Sequence, residues 1–214
     1  MGTRHLVAVY VDGEYKVAQY GQFDGYPEGA GATVLSALST MSPDDLEDFR
    51  EKIRATVFLS PQEITRRWEQ AGARNGMADQ NASQTMARDN PQLLRDMSAD
   101  VLEFIAQNAP GVELSNNISF AGDSLFCEYA YVVDLDANTL EVYQGFNKEP
   151  LAPTERFASF AKSDPEDNLN LEDMYHPVRL WRTFDLNHLP SEEQFLKALS
   201  EDEEEAPSPS LLKI

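Results

Sequence analysis

RHLVAVYVDGEYKVAQYGQFDGYPEGAG, residues 4–31, sets two runs of strand-forming residues on either side of Asp12-Gly13. Asp-Gly between two such runs is a strong short-range hairpin signal, because a type I′ turn needs positive φ at both central positions. Strands are expected over residues 4–11 and 14–20. A two-residue turn then sets Val11 opposite Glu14, Tyr10 opposite Tyr15, Val7 opposite Ala18 and His5 opposite Tyr20. In that register Thr3, His5, Tyr20 and Gln22 share one face at the hairpin's open end, with Asp24 just beyond. Strand spacing makes the patch about 10 Å across. Hydroxyl, imidazole, phenol, amide and carboxylate gathered at the mouth of a sheet mark the place to look for a site.

Working outward, the loop 21–31 leads into a small-residue helix expected near 30–39. Ser42-Pro43 opens a second helix, with a hydroxyl N-cap, proline at the first helical position and acidic residues in the first turn. Ser60-Pro61-Gln62-Glu63 forms a capping box ahead of a third helix that carries Ile64 and Trp68 at i, i+4 spacing. Residues 72–90 hold few large apolar groups and are expected as a long, partly helical surface excursion. A helix near 99–108 ends at Pro110-Gly111. Strands follow over 125–134 and 139–146, joined across Asp136-Ala137-Asn138, then a strand over 178–186 and a helix near 191–199. The expectation is one α+β domain over residues 1–200, a mainly antiparallel sheet with two hairpins, covered by helices from the middle and C-terminal segments. Residues 201–214, beginning EDEEEAPSPS, are expected as an acidic tail without the apolar surface to order itself.

The chain of 214 residues carries 17 basic and 37 acidic groups, a net charge of −20. The charge is uneven, −6 over residues 1–48, +3 over 49–95 and −17 over 96–214. A surface this acidic repels phosphate backbones, which argues against nucleic-acid binding. No apolar run approaches the roughly 20 residues needed to cross a bilayer, which argues against a membrane span. The single cysteine, Cys127, cannot form an intrachain disulfide, and together with the absence of a leader pattern this points to an intracellular, cytoplasmic setting, the nucleus being compatible as well.

Several chemical classes find no support in the residues. His5, His176 and His188 are too scattered for a metal motif, and Asp134-Leu-Asp136-Ala-Asn138 departs from a calcium loop at its sixth and twelfth positions, so no metal or other cofactor is expected. No Gly-x-Ser-x-Gly elbow occurs. Cys127 in a core strand beside Glu128 reads as a small hydrophobe, and Glu128, if buried, needs a partner such as Arg4. The glycines of GQFDGYPEGAG allow close approach of a ligand, although Glu28 would oppose a phosphate. The candidate catalytic set is His5 or Asp24 as base with Arg4 on a carboxylate or oxyanion, and Tyr20, Gln22, Tyr26 and Glu28 are the candidate ligand contacts. Function is expected as a small-ligand-binding protein or hydrolase at this patch. The alternative is a non-catalytic interaction module, with the 49–95 segment or the acidic tail engaging a protein partner.

TRHLVAVYVDGEYKVAQYGQFDGYPEGAG, together with CEYAYVVDLDANTLEVYQGF, resembles a chiefly fungal family of small intracellular proteins with no assigned activity. Shorter phage and bacterial members share the Tyr-x-x-x-Asp-Gly-Tyr-Pro-Glu-Gly core, here Tyr20–Gly29. The resemblance spans about two-thirds of the chain and implies no function. The N-terminal hairpin followed by an aspartate is also similar, at the level of fold, to N-terminal nucleophile hydrolases. Those need Cys, Ser or Thr at the mature first position, whereas loss of Met1 here exposes Gly2, with Thr3 one place too late.

Overall fold

The computed structural model describes residues 2–161 and 175–205, with side chains to residue 200. Asp12 and Gly13 adopt φ of 54° and 80°, as a type I′ turn requires. The turn joins β1 (His5–Val11) to β2 (Glu14–Gly21). A π-helical turn, Pro27–Gly31, leads into α1 (Ala32–Ser39). Ser42 and Ser60 each form a complete capping box, opening α2 (Pro43–Arg54) and α3 (Pro61–Gln70). Between them lies the short strand β3 (Val57–Phe58). The excursion expected over 72–90 contains α4 (Gln80–Asp89), started by Asp79, whose carboxylate accepts the Ala82 N–H at 2.8 Å.

A 3-10 turn, Arg95–Asp100, precedes α5 (Val101–Gln107). The strand β4 (Glu113–Leu114) then pairs with β3 in parallel. The second half supplies β5 (Tyr129–Asp134), β6 (Thr139–Gln144) and β7 (Arg179–Asp185). It closes with α6 (Glu192–Glu205). This last helix continues past Glu201, where a tail was expected to begin, and residues 206–214 lie outside the described part.

The main sheet runs β2-β1-β5-β6-β7, and three of its four pairings are antiparallel. The exception is β1 with β5, which the sequence did not signal. The α+β class expected from the residue patterns is therefore the observed one. On one face Val7, Val9, Val11 and Val17 pack with Tyr131, Val133 and residues of α1, α2, α5 and α6. On the other, Leu6, Ala8, Ala18, Ala130 and Val132 pack with Phe157 and Val178. Among the described residues no helix is long and apolar enough to cross a membrane.

The expected hairpin register holds only beside the turn. Tyr10 faces Tyr15 and Val11 faces Glu14, but between Val9 and Tyr10 the register slips by one residue. Beyond the slip Val9 faces Val17, Leu6 faces Tyr20 and His5 faces Gly21. The extra residue is Lys16, a bulge that sends Tyr15 and Val17 to opposite faces. Each thereby finds a core: Tyr15 stacks on Phe157 at 6.3 Å, and Val17 is wholly buried under the helices. An unbulged register would strand both on one face.

Candidate functional site

The slip divides the patch expected at the hairpin's open end. His5 points under the helices, while Tyr20 points to the other face against Phe120, with ring centroids 5.0 Å apart. Arg4, next to His5 on an extended strand, also faces away from it. Its backbone N–H donates to Glu128 Oε1 at 3.2 Å, its guanidinium lies 3.9 Å from the same carboxylate, and it stacks 4.5 Å above the Phe126 ring. The expected Arg4–Glu128 partnership forms, and it draws Arg4 out of the candidate centre. Thr3 is buried and its carbonyl accepts the Gly25 N–H at 3.0 Å, so it is tied into the hairpin exit rather than presented as a nucleophile.

His5 is wholly buried, and two glycines make room for its ring. A Cβ at Gly21 would stand 2.2 Å from His5 Cε1, and one at Gly25 would stand 2.9 Å from Nδ1. Tyr131 closes the cradle, donating its hydroxyl to the Gly25 carbonyl at 2.8 Å and setting its ring edge-on to the imidazole. His5 Nε2 lies 2.7 Å from Ser98 Oγ. Nδ1 has no partner in hydrogen-bond geometry, and one of the two neutral tautomers carries the ring proton there. That tautomer leaves the Nε2 lone pair facing the Ser98 hydroxyl, which then donates. Burial pushes the imidazole down to about 4, outweighing the Thr3 carbonyl and the Asp24 carboxylate, which both favour the cation. His5 is thus a neutral base at pH 7.

Ser98 is the residue that sequence reasoning missed. It stands just before an expected helix, where serine is an ordinary N-cap, and no flanking glycines mark it. The structure instead gives it φ 48° and ψ −134°, a region that non-glycine residues rarely enter. Such strain costs about 1–3 kcal/mol and collects at functional sites. Strained turns of this kind expose the nucleophile of serine hydrolases, although the surrounding Asp96-Met97-Ser98-Ala99-Asp100 lacks the Gly-x-Ser-x-Gly pattern.

Ser98 lines a cavity of about 490 Å³, shared with Gln22, Asp24, Arg95, Asp96 and Asp100. Of the expected contacts, Gln22 and Asp24 therefore line the same cavity as Ser98. Tyr20 reaches it indirectly: its hydroxyl donates to Gln22 Oε1 at 2.7 Å, which leaves the amide NH₂ as a donor. Tyr26 is exposed beside Tyr129, and Glu28 lines a neighbouring groove. Cys127 is buried on the opposite face and its thiol is pushed well up by burial. Among the described residues no group of three or more His, Cys, Asp or Glu side chains is placed to hold a metal ion. No protein-family model, curated protein or solved structure matches this chain.

Proposed function

We propose that the chain is a serine-dependent hydrolase acting by acyl transfer, with Ser98 as nucleophile and His5 as general base. The observation that carries this reading is the 2.7 Å Ser98–His5 contact made from a strained backbone at the wall of a cavity. Ser98 Oγ attacks the substrate carbonyl carbon while its proton passes to His5 Nε2. The imidazolium hands that proton to the leaving group as the carbon–leaving-group bond breaks. A water, deprotonated by His5, then attacks the acyl carbon, and the imidazolium returns that proton to Ser98 Oγ as the acyl–serine bond breaks. Asp24 supports the transient imidazolium by its charge, and Gln22 and Arg95 are the side-chain N–H donors in the cavity.

A fluorophosphonate probe tests this directly. The expected result is a phosphonyl adduct mapped to Ser98 by mass spectrometry and absent from folded Ser98→Ala. Folded protein that resists an excess of probe would reduce the pair to a tie between the 95–100 turn and the hairpin.

A further inference from the structure

The lining of the Ser98 cavity bears on what it would accept. Gly29, Thr33 and Ala99 also border a second groove of about 680 Å³, so the two hollows adjoin. Glu28, Asp45, Asp48 and Glu103 line that groove. Asp24, Asp96 and Asp100 line the first, with Arg95 as its one cation among the described residues. Some of this charge is already engaged: Asp48 pairs with Lys52 at 2.9 Å, Asp45 caps α2, Glu103 accepts from Gln107 at 2.6 Å and Asp96 lies 3.8 Å from Arg95. Asp24, Glu28 and Asp100 have no ion pair among the described residues. Wholly buried His5 sets Nε2 2.7 Å from the hydroxyl of Ser98, a residue that lines this acidic cleft.

We infer, resting on the hydrolase reading above, that the substrate's acyl portion carries a cationic group, an ammonium or guanidinium, that lies along the groove towards Glu28 and Glu103. Most of the groove's remaining lining is small or apolar, with Ala32, Ala37 and Met41 suited to a methylene spacer between charge and scissile bond. Acidic walls concentrate cations and turn anions away.

Three 4-nitrophenyl esters of matched length separate the possibilities: 6-aminohexanoate, hexanoate and the adipate monoester. Rates are taken as the difference between the native chain and Ser98→Ala. The expected order of kcat/KM is cation, neutral, anion, with the cation about tenfold over the neutral ester at low ionic strength. That ratio should shrink several-fold in about 0.5 M salt, and again in Glu28→Gln combined with Glu103→Gln. Equal or reversed rates, with Ser98 still labelled by the fluorophosphonate, would overturn the charge preference and leave the hydrolase standing. Absence of both labelling and Ser98-dependent turnover would overturn both.

Discussion

Ser98 holds an unfavourable backbone conformation and a catalytic-type hydrogen bond at once, and substitutions can separate the two. Ser98→Ala removes the hydroxyl and keeps the strain, whereas Ser98→Gly removes both. Ser98→Gly should therefore be more stable than Ser98→Ala by about 1 kcal/mol or more in denaturant titrations, and in the proposed hydrolase both variants would be inactive. Equal stabilities would mean the turn is not strained. His5 gives a second prediction. Its native value of about 4 lies below the ordinary 6.5, so the folded state binds fewer protons between those limits. The contribution is complete above pH 6.5, is lost progressively as pH falls to about 4, and changes no further below. The loss amounts to about 3 kcal/mol. Melting curves from pH 7 to 4 would show it, and an otherwise folded His5→Gln variant would show a flatter dependence. In the proposed hydrolase the acid limb of kcat/KM should inflect near 4 rather than near 7.

The hairpin shows how far local pattern reaches at the level of elements. The Asp-Gly turn, the two serine N-caps and the second hairpin follow from chemistry within a few residues, and each was legible in the chain. The bulge at Lys16 was not, because it answers to cores on two faces that sequence neighbours do not reveal. It alone moves His5 from Tyr20 to Gly21. Gly21 then becomes indispensable, since an added Cβ would collide with the imidazole. Gly21→Ala should cost about 2 kcal/mol or more, as overpacking of a filled site does. Unchanged stability would show that His5 has room to move. The turns of the two hairpins also lock together, since the Asp136 carboxylate accepts the N–H groups of Asp12 and Gly13 at 2.9 Å each.

Across the whole molecule the sheet separates a helical face, with the Ser98–His5 pair, from a face carrying a charged cluster. There Arg156 binds Glu141 at 2.7 Å, also pairs with Asp134, and lies 4.9 Å over the Tyr10 ring. Arg156→Met would leave two largely buried carboxylates without their cation, at a cost of about 3 kcal/mol. Phosphonylation of Ser98 in the folded fraction should nevertheless be unaffected, because the sheet lies between; parallel loss of labelling would show that the faces are coupled. By itself the chain determined its α+β class, its turns and its helix starts, all written in local spacing and residue type. The chain also offered Arg4 as a partner for Glu128, but only tertiary structure decided that this pairing turns Arg4 away from His5 and that Ser98 meets His5. Those partners stand 93 and 124 positions apart, and what joins them is the burial of two opposed sheet faces, a property of the packed whole.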